Sequence, residues 1–195
     1  MSYETAPATI LLATDCCVCG RPLVDSDSVN TGIGPVCAKR TQYGHFDREP
    51  NIHEAANLLN EMGVVVELLD PHKAANKLVY LVAANQKNTL LARKLTEAVA
   101  LMGYTVLANV LRKRFAPVTV TVKTSGDLLL ATIEANGNEN FHTALNLLRY
   151  VPGKSWDKQL RANTFPISSR GPLWKNLKKL PSGSVVEGDK GVVVI

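Results

Sequence analysis

The sequence predicts an α+β fold, on three observations. All four cysteines fall between Cys16 and Cys37, in a stretch rich in turn formers. Apolar residues then recur at spacings of three and four from Ile52 to Phe115, the period of an amphipathic helix. Beyond Pro117 the period drops to two in Val118-Thr119-Val120-Thr121-Val122, as in a half-buried strand. These changes divide the 195 residues into a cysteine-bearing module (1–48), a helical bundle (49–116) and a C-terminal α+β domain (117–195).

Each element has a local reason. Asp25-Ser26-Asp27-Ser28 is a loop or helix-entry signal, and Gly32 and Gly34 allow tight turns. Pro35 pre-sets the first turn of a short helix through Arg40. Ile52, Ala55, Ala56, Leu58, Leu59 and Met62 form the stripe of the next helix, which Gly63 ends. Asp70-Pro71 is an N-cap and N1 pair for a third, with Ala74, Ala75, Leu78, Leu81 and Val82 on one face. Asn88-Thr89 opens a fourth, burying Leu91, Leu95, Ala98, Val99 and Met102, and Tyr104 to Phe115 is a fifth.

The C-terminal domain reads as ββαβαββ. Ser125-Gly126-Asp127 turns the first strand into a second, Leu128 to Ile133. Asn138-Glu139-Asn140 leads into a helix with Phe141, Ala144, Leu145 and Leu148 on one side. A short strand follows through Ala162 to Phe165, and Gly171-Pro172 starts a basic helix with Leu173, Leu177 and Leu180. Ser184 to Glu187 and Gly191 to Ile195 close the domain as strands.

Composition excludes several classes. With 46% hydrophobic and 20% charged residues the chain folds around a core and is not a disordered tail. Val64-Val65-Val66 is far too short to cross a membrane. The start, Met1-Ser2-Tyr3-Glu4, lacks a positive n-region, which predicts a cytoplasmic protein with reduced thiols. The net charge of +5 is unevenly placed: 9 basic against 11 acidic residues up to position 109, then 13 against 6. The C-terminal half is therefore the better surface for a polyanion.

The cysteines have metal-ligand spacing. Cys16 and Cys19 frame a Cys-x-x-Cys-Gly knuckle, and Cys37 sits where the helix begun by Pro35 brings up a third thiolate. Cys17, adjacent to Cys16, reads as a core thiol. His45 is the nearest histidine for a fourth ligand if the helix ends near Arg40 and Gly44 turns the chain back. Asp15, His53, Cys17, water and a partner chain are the alternatives. A structural Zn2+ is the expected cofactor, since no histidine–glutamate pattern offers a general base beside an open position. Cys16, Cys19, Gly20, Arg21, Leu23, Ser28, Gly32, Gly34, Pro35 and Cys37 together resemble a small treble-clef-like or zinc-ribbon-like module of phage and bacterial proteins. That resemblance implies a zinc-stapled surface accompanying nucleic-acid functions.

Residues 151–180 carry seven basic side chains against the single acid Asp157. The basic residues are Lys154, Lys158, Arg161, Arg170, Lys175, Lys178 and Lys179, and both tryptophans, Trp156 and Trp174, stand among them. An indole can stack on an unpaired base while cations hold the backbone. Trp174, in register with Leu177, reads as core; Trp156, beside the Pro152-Gly153 turn, is divided evenly between core and stacking. Leu145, Leu148, Pro152, Gly153, Trp156, Asp157, Phe165 and Pro166 resemble the HepA-related (HARP) domain of annealing helicases, with Thr164 where that pattern often has a second Trp. The resemblance implies engagement of forked or single-stranded DNA.

No phosphate-binding loop or acidic Mg2+ partner accompanies these features, and Asp127, Glu134, Glu139 and Asp157 have no nuclease spacing. The expectation is a non-enzymatic nucleic-acid-binding accessory protein of phage or bacterial replication, repair or recombination, with DNA preferred and RNA open. A replication or host protein is a further expected partner. The alternative is an adaptor that binds such a protein through the helices, with zinc purely structural.

Overall fold

A computed structural model describes residues 13–195. They are mixed α+β, with eight α-helices and a six-stranded sheet. Contacts divide the chain into two compact units, one ending at Leu111 and the other Arg112–Ile195.

The first unit is helical. It contains α1 (Ser26–Thr31), α2 (Pro35–Arg40), α3 (Ile52–Glu61), α4 (Pro71–Ala84), α5 (Thr89–Leu101) and the greater part of α6 (Thr105–Phe115). Short polar side chains set the helix starts. The Asp25, Asn51, Asp70 and Asn88 side chains each accept from backbone N–H groups in the first turn of α1, α3, α4 and α5, donors that otherwise lack a partner. Asp47 does the same for α6 from a distance, accepting from Thr105 N at 2.9 Å and Val106 N at 2.8 Å. The α4 stripe is Ala74, Ala75, Leu78, Val79, Val82 and Ala83. Leu81 is only half-buried and Val79 takes the place expected for it. Leu91 is likewise half-buried, while Ala92 faces the core of α5. Gly32 ends α1 with φ +74°, and a β-carbon there would lie 2.6 Å from Ala83 Cβ. Only glycine permits both that angle and that approach to α4.

The second unit is the sheet and its helices. β1 (Val118–Ser125) and β2 (Leu128–Ala135) form the expected hairpin. Then come α7 (Asn138–Arg149), β3 (Ser155–Asp157), β4 (Ala162–Pro166), a 3-10 turn (Ile167–Ser169), α8 (Arg170–Leu177), β5 (Val185–Gly188) and β6 (Gly191–Val194). The strand order is β3-β4-β2-β1-β5-β6, with β1 and β5 parallel and the other pairs antiparallel. The observed order has one strand more than the sequence predicts. Ser-Trp-Asp has no alternation to announce β3; it is a strand because the ladder of β4 offers it partners.

Val118, Val120 and Val122 face inward as their period predicts. They pack with Leu129, Phe165 and Val186 against Ala144 and Leu148 of α7 and Leu173 and Leu177 of α8. Phe141 stays 40% exposed at the start of its stripe. Asn176 Nδ2 donates to Leu147 O at 3.0 Å, tying α8 to α7. The chain leaves α7 through Gly153, whose φ is +71° and whose added β-carbon would lie 2.6 Å from Pro166 Cδ.

Both tryptophans belong to this unit, so tryptophan fluorescence follows its unfolding alone. Gly153→Ala is expected to lower its stability by about 1–3 kcal/mol, through a left-handed non-glycine residue and a clash with Pro166. Gly126→Ala, at φ +56° with nothing within 4 Å, carries the conformational cost alone, about 1 kcal/mol. Denaturant midpoints read by fluorescence check the difference; equal losses would refute the close approach.

Candidate functional site

The chain from Thr14 to Leu23 folds back on itself. Asp15 bridges Pro22, Cys16 N donates to Arg21 O at 2.9 Å, and Gly20 N donates to Cys16 O at 2.9 Å. Cys16 and Cys19 therefore stand on one tight turn. Cys17 N donates to Gly32 O at 2.9 Å, which fixes that turn to the end of α1. Gly34 then leads into Pro35 at the first position of α2, and Cys37 falls in the first turn of that helix.

These two segments bring three sulfurs together. The Sγ atoms of Cys16, Cys19 and Cys37 lie within 4.8 Å of one another. Three sulfurs bound tetrahedrally at about 2.3 Å from one ion are ~3.8 Å apart, a separation that fits within this limit. Three closely spaced cysteines could thus hold a metal ion. Gly34 N–H donates to Cys16 Sγ at 3.5 Å, the kind of outer contact that steadies a metal-bound thiolate. Cys16 and Cys37 are buried and Cys19 is exposed, so the group opens to solvent on one side.

The thiols influence one another. A hydrogen bond from the Cys17 side chain pulls Cys16 down to about 4, against the effect of burial and with help from the backbone N–H of Gly34. Burial pushes Cys37 up to about 12, with Cys19 and Cys16 adding to the rise. Without a cation, one thiolate forms and makes the next costly. A divalent ion relieves that penalty, because all three sulfurs share its positive charge.

Among the described residues, His45 does not join the group. α2 does end at Arg40, and Gly44 turns the chain with φ +97°. The turn nevertheless leaves His45 exposed, its N–H bonded to Gln42 O at 3.1 Å. Asp15 and His53 are outside the cluster too. Cys17 is fully buried and stands outside it as a core thiol. The Gly34 contact to sulfur escaped sequence reasoning. Only the Gly-x-Gly-Pro spacing ahead of Cys37 hints at it.

The basic candidates fall on two elements. Trp156 lies on edge strand β3, opposite Asn163 of β4, and is 53% exposed. Lys154 precedes it, half-buried, while Lys158 and Arg161 are exposed in the loop that follows. Asp157 Oδ1 shapes that loop by accepting from Gln159 N at 2.8 Å and Leu160 N at 2.9 Å. Arg161 takes the left-handed φ of +49°. Arg170 and Lys175 are exposed on α8, and Lys178 and Lys179 are exposed just beyond it. Trp174 is half-buried and packs against the core of the unit, as expected.

Removing one ligand should release the metal. Protein purified without added metal is expected to carry about one ion per chain, and Cys37→Ser to reduce that content severalfold with a lower melting temperature. His45→Ala should leave both unchanged. Elemental analysis with thermal unfolding checks this, and a metal-free wild type of full stability would dismiss the site.

The cysteine cluster is also where the chain is similar to known sequences. A family of unknown function (DUF6011) matches residues 6–42, which include all four cysteines and both short helices. No curated protein and no solved structure matches the chain.

Proposed function

We propose that this protein is a non-enzymatic nucleic-acid-binding factor. It binds DNA, single-stranded or forked, in phage or bacterial replication, repair or recombination, and its three-cysteine cluster holds a structural Zn2+. The observation that carries the reading is Trp156. A large indole stands 53% exposed on an edge strand, with Lys154 before it in the chain and Lys158 and Arg161 after it. Exposed indoles are uncommon, and one set among cations suits a strand whose bases stack while its phosphates pair. The resemblance of this segment to the HepA-related domain agrees. So does the charge of Arg112–Ile195, with 13 basic residues against 6 acidic. Zinc is favoured for the metal because three thiolates are soft ligands that suit an ion without redox chemistry.

One observation favours a second reading. Val24, Val36, Val65 and Leu69 of the helical unit are between 80% and 96% exposed. Val65 and Leu69 lie on the link between α3 and α4. Such apolar exposure suits an adaptor that docks a protein partner.

Binding to single-stranded DNA should weaken with salt, with a log–log slope of a few units for a few phosphate contacts. Trp156→Ala should lower single-strand affinity by about 1–3 kcal/mol and duplex affinity by less. Lys158→Glu with Arg161→Glu should weaken all sequences alike, because phosphate contacts do not read bases. Fluorescence anisotropy across salt checks both. Absence of binding to single-stranded, duplex and forked DNA and to RNA at low salt would leave the adaptor reading in its place.

A further inference from the structure

The C-terminal unit holds a second indole in a different setting. β5 and β6 are joined by the two-residue turn Asp189-Lys190, and Gly188 pairs with Gly191 across it. That turn, the end of β1 and the start of α8 enclose a cavity of about 350 Å3, within the size range of small-ligand pockets. Val122, Leu129 and the Trp174 indole line it, and Arg170, Asp189 and Lys190 are at its exposed margin. Arg170 and Trp174 are four residues apart on α8 and so share one face of that helix.

The polar groups are held in place. Arg170 Nη2 donates to Thr124 Oγ1 at 3.0 Å, and the Thr124 hydroxyl donates to the Asp189 carboxylate. Thr124 N–H donates to the same carboxylate at 3.4 Å. This chain of bonds spends the acid on β1. A guanidinium has five N–H donors, and the bond to Thr124 uses one. Two cations thus stand at the mouth against one engaged carboxylate, above apolar walls that include an indole. Gly188 keeps the space open: a β-carbon there would point at Trp174, 3.4 Å from Cζ2.

We infer that this cavity takes one nucleobase with its attached phosphate, the base against Trp174 and the phosphate at Arg170 and Lys190. The apolar walls and the indole suit a planar ring, and the paired cations suit the phosphate beside it. The inference builds on the nucleic-acid reading of this unit but rests on a different tryptophan. Two sources share this chemistry, the terminal nucleotide of an unpaired strand and a free mononucleotide.

The test uses the full chain with Trp156→Phe, which leaves Trp174 as the only indole. Its fluorescence is titrated with dAMP and with a short 5′-phosphorylated deoxyadenylate oligonucleotide. Saturable quenching is expected, with dAMP alone sufficient if the ligand is a free nucleotide and only the oligonucleotide effective if it is a strand end. Gly188→Val, which fills the space beside Trp174 at a position with ordinary strand backbone, should weaken binding about tenfold or more, the loss of one stacked base. Lys190→Gln, at an exposed turn where folding is not at stake, should weaken the phosphorylated oligonucleotide more than its 5′-hydroxyl counterpart. Quenching by neither source would overturn the inference, as would quenching indifferent to both variants. If an oligonucleotide binds by anisotropy while Trp174 fluorescence stays unchanged, the pocket is refuted and the proposed function stands.

Discussion

The C-terminal unit depends on the pairing of β1 along both of its edges. Its register with β2 is antiparallel from Val118↔Ala135 to Ser125↔Leu128, and its register with β5 is parallel at Thr119, Val120 and Thr121. A parallel partner cannot follow by a tight turn, because the chain must first return to the starting end of the sheet. Here that return carries α7, β3, β4 and α8. Both helices then bury their apolar stripes on the valines of β1. The same pairing puts the β5–β6 turn beside the end of β1, where Thr124 reaches Asp189 and Arg170. The cavity beside Trp174 is thus a consequence of the strand order.

The cysteine segment is organised on a different principle. It has too few apolar residues for a core of its own, and its main-chain bonds carry the arrangement. The turn from Cys16 to Gly20 and the short α2 are each held by local bonds, and the Cys17 to Gly32 bond fixes that turn to the end of α1, just ahead of α2. Gly32 lies close against α4, and Gln86 Nε2, just beyond α4, donates to Asp15 O at 2.8 Å, so the knuckle is seated on the helical unit by both contacts. Tyr43, Phe46, His72 and Tyr104 form a ring cluster just after α2, with Phe46 stacked on His72 at 4.1 Å between centroids. Burial and the neighbouring Tyr104 push the Tyr43 hydroxyl far above its usual range, so it stays a donor, to Asn76 Oδ1 at 2.7 Å. The three thiols then converge on a frame fixed elsewhere.

The sequence made much of this legible, for physical reasons that differ by element. Caps and prolines located α3 to α5 within a residue or two, because Asp70-Pro71 and Asn88-Thr89 act locally. The valine alternation located β1, because one face of that strand is buried. The clustering of Cys16, Cys19 and Cys37 was legible from spacing alone. The place of His45 was not, since the direction of the chain after Arg40 is set by Gln42 at φ +56° as well as by Gly44. Edge strand β3 was hidden because its pairing comes from β4 and not from its own three residues. The cavity beside Trp174 was hidden too: Arg170 and Lys190 are twenty positions apart in the chain and line one cavity only through tertiary structure.

The parallel register of β1 with β5 has a consequence for how the protein is made. The β1–β2 hairpin is local and can form as soon as Ala135 has been synthesised. Thr119 meets Val185, however, so the other edge of the same strand waits through all of α7, β3, β4 and α8. Non-local pairing of this kind is slow, because the loop must close before any contact rewards it. During that interval a nascent chain displays an unpaired valine-rich edge, a surface prone to wrong partners. The α7–α8 stretch is therefore the interval over which this strand edge has to be kept from wrong pairing while the unit folds.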